Sequence, residues 1–355
     1  MTMKKLFYIS VAALGIFTSC NQTPTNTDSV PLAVTPADQE LLQKAQDLFK
    51  PVATRVENPA NPITNEKVAL GKLLYYDTRL SKTGNNSCNS CHNLSTFGVD
   101  NLPTSKGDNG GFGGRNSPTV LNAAYHTTQF WDGRAADVEE QAGGPILNPV
   151  EMAIPSKEFL MDRLKGITEY QDMFKAAYPE ESNPFVYENV QKAIAAFERT
   201  LTTPSSFDKY LKGDVHALSS DARIGLKTFM DVGCASCHSG VALGGNSFQK
   251  FGVYGDYRTF VKTTSTDSGR KDLTKKEEDK DQFKVPGLRN VVMTHPYLHD
   301  GCVSDLAEVV KIMGKSQLNR DLSEAQVKAI VAFLNALTGE VPADAKVVPA
   351  VLASK

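Results

Sequence analysis

Two short cysteine motifs constrain the fold of this chain more than any other feature of its sequence. They read Cys88-Asn-Ser-Cys91-His92 and Cys234-Ala-Ser-Cys237-His238. C-x-x-C-H is the attachment signal for c-type haem, in which both thiols bond to the porphyrin and the histidine binds the iron. The cysteine pairs of a zinc ribbon lie much closer together, and a redox dithiol rarely carries the adjacent histidine at two sites. The sequence therefore predicts two covalently bound haem c groups.

Each motif lies inside a longer internal repeat. An amphipathic segment precedes each motif and carries a glycine at the matching place, Gly71 or Gly225. A second amphipathic segment follows each motif, and 193–201 and 329–337 are identical at five of nine positions. Apolar residues recur at helical spacing, and alternating strand patterns are nearly absent. We therefore predict a mostly α fold of two tandem cytochrome c-like haem domains.

The N-terminus predicts export and a membrane anchor. A lysine pair precedes an apolar run from Leu6 to Phe17, which is too short to span a bilayer and is followed closely by Cys20. This pattern predicts a lipoprotein-type signal peptide over 1–20 with lipidation of Cys20; the alternative is a soluble secreted protein cleaved nearby. A polar, Pro/Thr-rich stretch predicts a flexible tether over 21–37. The expected location is the periplasm, with membrane contact by the lipid anchor only.

The repeat predicts the domain boundaries, and the charge balance bears on the kind of partner. One haem domain is predicted over 38–205 and a second over 206–340, followed by a C-terminal tail over 341–355. Lysine plus arginine number 38 against 40 aspartate plus glutamate. Because no basic stripe is present, we expect no nucleic-acid partner.

Several longer stretches resemble the bacterial di-haem cytochrome c peroxidases and their relatives in methylamine utilisation. Besides the two motifs, the matching text is LGKLLYYDTRLS (70–81), RNSPTVLNAAYHTTQFWDGRA (115–135), EEQAGGPILNPVEM (139–152), FKVPGLRNVVMTHPYLHDG (283–301) and LAEVVKIMGKSQ (306–317). The resemblance implies an enzyme that reduces hydrogen peroxide to water at the haem of 38–205. The haem of 206–340 would pass on electrons from a small cytochrome c or cupredoxin, and such enzymes are commonly homodimers.

The same resemblance implies the catalytic residues. Gln141 and Glu151, ten and twenty residues after Trp131, correspond to a positioning amide and an acid–base carboxylate above the reactive haem. A carboxyl group in a haem cavity is expected to have a raised pKa. Taken alone, Glu151 would be a solvated acid in a loop. Trp131 corresponds to the bridge for electron transfer between the haems, a role compatible with being a packed core anchor.

The iron ligands follow from the motifs and the resemblance together. His92 and His238 are the expected proximal ligands. Met313 occupies the family position for the second ligand of the C-terminal haem, and a thioether raises the reduction potential of the iron. Met293, the other methionine nearby, is expected to lie in the core. Relatives that oxidise a partner protein have a tyrosine at this ligand position, so Met313 favours a peroxidase.

The resemblance also implies one calcium ion between the domains. Its ligands would be the side chain of Asn116 and the backbone carbonyls of Thr294 and Pro296, since calcium prefers oxygen. Taken alone, Asn116 would more often be a turn residue. The calcium site is therefore an expectation from the resemblance alone.

Four remaining features are expected to be structural. The hydrophilic run 270–284 predicts a solvated loop, with docking of an electron donor as the alternative. Cys302 is expected to be a buried free thiol or an unremarkable small residue. His299 lies either near the haem interface or in the core, and His126 is expected to be structural or at the surface.

The glycine-rich stretch 104–119 lacks a residue that many family members carry. There the resemblance implies a histidine, near the position of Asp108, that caps the reactive iron until the other haem is reduced. Neither Asp108 nor Lys106 is a convincing iron ligand, and His126 lies beyond the stretch. Five glycines favour mobility, and no G-K-[ST] follows to indicate a phosphate loop. We hypothesise that the reactive haem is five-coordinate or water-bound as isolated and needs no reductive activation.

Two other functions remain open at this level. A di-haem electron-transfer cytochrome would have six-coordinate iron at both sites and no peroxide turnover. An oxidative maturation enzyme would act on a partner protein, which Met313 disfavours.

Overall fold

The computed structural model describes residues 33–353, and residues 36–353 belong to one compact unit. The predicted signal peptide, Cys20 and most of the predicted tether lie outside the described residues. The helices are Pro36–Leu48 (α1), Asn65–Tyr76 (α2), Cys88–Cys91 (α3), Val138–Leu147 (α4), Lys157–Lys165 (α5), Thr168–Ala177 (α6), Tyr187–Glu198 (α7), Ser206–Leu211 (α8), Ser220–Val232 (α9), Tyr257–Phe260 (α10), Lys271–Thr274 (α11), Leu306–Leu318 (α12), Glu324–Asn335 (α13) and Ala350–Ala353 (α14). Two short strands, Phe248–Lys250 (β1) and Gln282–Lys284 (β2), pair antiparallel. The predicted mostly helical fold is confirmed. Among the described helices, none combines the length and the apolar character needed to cross a membrane.

Two helix pairs of the same construction form the centres of the fold. Helix α2 packs along α7, and α9 packs along α13. A Cβ atom added to Gly71 would lie 1.8 Å from the carbonyl oxygen of Ala193, and one added to Gly225 would lie 1.9 Å from that of Ala329. No side chain fits at such distances, so each pair can approach this closely only where a glycine stands. The matching glycines of the repeat thus mark the same helix crossing, made twice.

Each helix pair is surrounded by its own cluster of buried apolar residues. The first core is built around α2 and α7 and includes Leu70, Leu74 and Phe197. The second core is built around α9 and α13 and includes Leu226 and Phe333. Their extents follow the two halves of the repeat, while the domain boundaries themselves remain a prediction.

The two ends of the described chain pack on the core of the opposite half. Ala45 and Phe49, from the end of α1, are fully buried in the second core. Val341 and Ala345 are buried in the first core, where the Tyr76 hydroxyl donates to the Ala345 carbonyl at 2.8 Å. Domain boundaries drawn along the sequence at 38 and 341 do not anticipate that each end of the chain packs on the core of the opposite half. The ends therefore tie the two halves together.

Two expectations, on the run 270–284 and on Met293, are wrong, and one of the two alternatives for Cys302 is excluded. The run 270–284 is not solvated throughout, because its last residues form β2 and Lys284 is only 5% exposed. Met293 is 39% exposed rather than part of the core. Cys302 is exposed, which excludes a buried thiol and leaves the alternative of an unremarkable small residue. In each case tertiary packing, which local sequence does not encode, decides the exposure.

Candidate active site

The first C-x-x-C-H motif forms part of the wall of a cavity of about 360 Å³, here called the first cavity. Helix α3 carries both cysteines of the motif, and Ser87 and Ser90 form a reciprocal capping box at its start. Both thiols are free, and Cys88, Cys91 and His92 all line the cavity. The local fold therefore presents two thiols and an imidazole to one space, as covalent attachment of a haem requires.

The surroundings of His92 suit a haem ligand. Its Nδ1 atom is buried and forms no hydrogen bond of normal geometry with the described residues. Backbone groups at Pro118 and Gly98 act to raise its pKa, but the effect of burial is larger. Burial lowers the pKa of His92, which keeps the imidazole neutral and able to bind a metal. The Tyr75 hydroxyl donates to the His92 backbone carbonyl and fastens the motif to the first core. The residues present fit a haem c held by this motif.

Glu151 and Gln141 line the same cavity as His92. The Asn148 side-chain amide donates to the Glu151 carboxylate at 2.8 Å. Burial raises the pKa of Glu151, while Arg134 and the Asn148 hydrogen bond oppose the rise. The structure thus brings the two predicted residues together beside the first motif and places the carboxyl group in an environment that favours proton binding.

The glycine-rich stretch packs directly on the segment that carries Glu151. The backbone N–H of Asp108 donates to the Glu151 carbonyl at 2.7 Å. A Cβ added to Gly107 would lie 2.1 Å from the Val150 carbonyl oxygen. Of the five glycines, only Gly110 has a positive φ, 83°. Gly107 therefore serves close backbone packing, and Gly110 serves a left-handed turn.

The Asp108 side chain does not line the first cavity. Its carboxylate accepts hydrogen bonds of 2.8 Å from both the backbone N–H and the hydroxyl of Thr83, and a longer one from the Asn85 N–H. Burial would raise the pKa of Asp108, but hydrogen bonds from Ser81 and Thr83 hold it below its ordinary value. Among the described residues, the histidines that line this cavity are His92 and His126, so none comes from the glycine-rich stretch.

The second motif lines another cavity, of about 350 Å³, here called the second cavity. Its lining includes Cys234, Cys237, His238 and Met313. The His238 Nδ1 atom lies 3.0 Å from the Leu243 carbonyl oxygen, and such a bond places the proton on Nδ1 and frees Nε2 for a metal. Burial lowers the pKa of His238. The residues fit a second haem c.

The two methionines considered from the sequence occupy different environments. Met313, on α12, lines the second cavity together with His238. Met293 is half-exposed and is not part of the cavity lining. The structure therefore brings only Met313 to the same space as the second motif.

Trp131 lines both cavities. Its indole N–H donates to the Asn116 carbonyl at 2.9 Å, and its own carbonyl accepts from the Lys284 N–H at 2.7 Å. The ring of His299, which is 2% exposed, lies 6.4 Å from the indole ring and stacks on Phe283. The tryptophan is therefore held at a fixed place between the cavities.

The three predicted calcium ligands all line the second cavity: Asn116, Thr294 and Pro296. The Asn116 side-chain amide donates to the Leu102 and Pro103 carbonyls, at 3.0 and 3.3 Å. Over residues 33–353, no group of three or more acidic, histidine or cysteine side chains is placed to hold a metal. A calcium site here would depend on neutral oxygens, and it remains a prediction.

Sequence reasoning missed a buried cation at the boundary between the cavities. Lys284 and His126 line both cavities. The Lys284 Nζ atom lies 3.3 Å from His126 Nδ1 and donates to the Thr128 carbonyl at 3.0 Å. Burial lowers the pKa of Lys284 to about 8 and that of His126 well below its ordinary value. In the sequence Lys284 is only the last charge of a hydrophilic run, so nothing there marks it as buried.

Sequence reasoning also missed Glu198, which lines the first cavity and is 5% exposed. Burial, reinforced by the nearby Glu139 carboxylate, raises the pKa of Glu198 to about 8. The first cavity therefore contains two carboxyl groups that bind protons more tightly than exposed glutamates do.

Known proteins are similar to this chain along most of its length. The sequence profile described as di-haem cytochrome c peroxidase matches residues 65–216. Cytochrome c551 peroxidase of Pseudomonas aeruginosa is 46% identical over 85% of this chain and 87% of its own length. The methylamine utilization protein MauG of Methylorubrum extorquens is 34% identical over 89% of this chain and 90% of its own.

A solved structure supports the same relationship. The crystal structure of a MauG-like protein associated with microbial copper homeostasis is 29% identical to this chain, with a TM-score of 0.75. The match covers 85% of this chain and 98% of that one. Both the sequence and the fold therefore place the chain among the di-haem cytochrome c peroxidases, a family that carries two c-type haems, and the chain belongs to that family.

Proposed function

We propose that this protein reduces hydrogen peroxide to two water molecules, using two protons and two electrons from a small redox protein. The observation that carries the proposal is the shared lining of the first cavity by His92, Gln141 and Glu151. The 46% identity with a cytochrome c551 peroxidase over most of both chains supports the same activity.

The first cavity provides the groups that peroxide reduction needs. The haem held by Cys88, Cys91 and His92 would supply the iron at which the O–O bond is cleaved. Glu151 takes the proton from the proximal oxygen of peroxide and delivers it to the departing oxygen, a task suited to a carboxyl group with a raised pKa. Gln141 orients the peroxide through its side-chain amide. Positioned proton transfer of this kind contributes roughly 10²- to 10⁴-fold to the rate.

Electrons enter at the second cavity and cross to the first. His238 and Met313 would bind the iron of the second haem, and the Met313 thioether would keep its reduction potential high enough to accept electrons from a donor. Trp131, which lines both cavities, lies on the route between them. The donor is a small cytochrome c or cupredoxin; the 46% identical relative is a cytochrome c551 peroxidase, which supports a cytochrome.

Further properties belong to the same proposal. The enzyme works in the periplasm, anchored through a lipid on Cys20, and it forms a homodimer. One calcium ion is held by Asn116, Thr294 and Pro296. Because the glycine-rich stretch brings no histidine to the first cavity, the reactive haem is five-coordinate or water-bound as isolated and works without prior reduction.

Ferric-state electron paramagnetic resonance combined with turnover tests the proposal. We expect one high-spin haem that binds cyanide, and two molecules of reduced cytochrome c oxidised for each peroxide consumed, without a half-reduction step. Two low-spin haems with no peroxide turnover would show an electron-transfer cytochrome instead. Two low-spin haems that become active on half-reduction would retain the peroxidase and overturn only the absence of an activation step.

A further inference from the structure

Three cationic side chains that line the first cavity, Arg115, Arg134 and Lys284, differ in how they are paired. Arg115 and Asp132 form an ion pair of 2.7 Å, and Arg134 shares the same carboxylate at 3.1 Å. A second carboxylate, that of Asp267, also pairs with Arg115, at 2.6 Å. Lys284 is the third cation of the cluster, and over residues 33–353 it forms no ion pair. Arg115 and Arg134 are thus paired with carboxylates, whereas the Lys284 ammonium has no direct carboxylate partner among the described residues.

The Lys284 ammonium is buried. Lys284 is 5% exposed, and burying an ammonium without a directly paired anion is strongly unfavourable. Its Nζ carries three hydrogens, of which one goes to the Thr128 carbonyl and one to His126 Nδ1. Among the described residues, the third hydrogen has no acceptor. The site is therefore incomplete without a further acceptor, and an anion would satisfy both the charge and the donor.

His126 adds a second donor to the site. When its Nδ1 accepts from Lys284, the neutral ring holds its proton on Nε2. Burial and the adjacent Lys284 lower the pKa of His126, which keeps the ring neutral and this tautomer in place. Gly245 and Gly287 leave room for the imidazole, since a Cβ on either would lie within 3 Å of a ring atom. The ring is thus fixed in place with its proton on Nε2.

Each haem of the family carries two propionate side chains, which are carboxylates at neutral pH. Lys284 and His126 are lining residues of both cavities, so either haem could present one of these groups to them. We propose that Lys284 and His126 form a carboxylate-binding site that holds a propionate of one of the two haems. The proposal depends on the family's two haems and not on peroxide reduction.

The bound propionate gives Lys284 a direct anionic partner and couples the protein to the haem potential. A cation beside the propionate favours the reduced iron. Oxidation adds one positive charge to the haem, and the nearby lysine repels that charge. Removing Lys284 should therefore lower the reduction potential of the haem that it contacts.

Spectroelectrochemical titration of the purified two-haem protein measures this effect without using peroxide. Lys284→Met removes the charge while keeping the length of the side chain, and exposed Lys276→Met is the matched control in the same run of sequence. We expect Lys284→Met to shift one haem couple to lower potential, by about tenfold in the equilibrium constant or ~59 mV. The couple that shifts identifies which haem provides the propionate. Unchanged potentials for both haems, or an equal shift in Lys276→Met, would overturn the proposal.

A crystal structure of the wild-type two-haem protein decides the matter independently, including the case in which Lys284→Met does not fold. We expect a propionate oxygen within about 3.2 Å of Lys284 Nζ or His126 Nε2. If every propionate oxygen lies beyond hydrogen-bond distance of both atoms, the proposal is wrong.

Discussion

The backbone N–H of Asp108 donates to the carbonyl oxygen of Glu151 at 2.7 Å. Through this bond, the glycine-rich stretch 104–119 holds the segment that carries Glu151, the candidate acid–base residue. This is the stretch that lacks the capping histidine expected from the family resemblance. The Asn109 side-chain amide, which donates to the Pro149 carbonyl at 3.2 Å, reinforces the contact. The stretch therefore has a positioning role in the proposed mechanism even though it contributes no iron ligand.

Gly107→Ala should disturb this positioning. The new Cβ would lie 2.1 Å from the Val150 carbonyl oxygen, so the two segments must separate and carry Glu151 with them. A displacement of about 1 Å from productive geometry can cost roughly 10²-fold in rate. We expect kcat/KM for peroxide to fall while the haem spectra stay unchanged, as measured by steady-state kinetics. Gly111→Ala, where nothing lies within 4 Å of an added Cβ and φ is not positive, is the control and should retain wild-type kinetics.

Glu151→Gln should lower kcat/KM for peroxide by about 10²- to 10⁴-fold, because the amide cannot accept the proton. The wild-type enzyme should also lose activity on its acid side at a higher pH than an ordinary glutamate would give. Burial raises the pKa of Glu151, and only the ionised carboxylate accepts a proton, so activity falls as the pH drops through that raised value. A pH–rate profile checks both effects, with Glu340→Gln on the exposed surface as the control. Wild-type rates in Glu151→Gln would exclude Glu151 as the base.

Trp131→Phe should fold and still bind both haems but turn over more slowly. The substitution removes the indole N–H that donates to the Asn116 carbonyl, a loss of about 1 kcal/mol in the free energy of unfolding. Rapid mixing of half-reduced protein with peroxide measures the electron transfer between the haems directly. A transfer rate equal to that of the wild type would show that the route bypasses Trp131.

Met313→Leu should lower the reduction potential of the second haem, because the thioether that stabilises reduced iron is lost. Met293→Leu is a matched control, since Met293 is 39% exposed and does not line the second cavity. Spectroelectrochemistry distinguishes the two variants. An unchanged potential in Met313→Leu would mean that another group binds the iron opposite His238.

The repeated features of the structure were those most accessible from sequence. The motifs at Cys88 and Cys234 act through short covalent spacing, and Gly71 and Gly225 mark helix crossings that depend on one missing side chain. Both signals are local, so they can be recognised without knowledge of the tertiary fold. The grouping of Glu151 with Gln141 came from family resemblance, because nothing in the text NPVEM indicates a cavity.

The features that sequence missed depend on contacts between distant segments. Lys284 is buried only because β2 pairs with β1 and packs beside Trp131. Glu198 is buried only because α7 packs against both α2 and α4. The order of the glycine-rich stretch depends on backbone hydrogen bonds to the Glu151 segment, which composition does not encode.

The exchange of chain ends has a consequence for cleavage of the backbone. If a protease cut the segment between α7 and α8, the N-terminal fragment would keep Phe49 buried in the second core, and the C-terminal fragment would keep Val341 buried in the first. Neither fragment could leave without exposing apolar surface of both cores. A nicked molecule would therefore stay assembled and migrate as one particle until it is denatured.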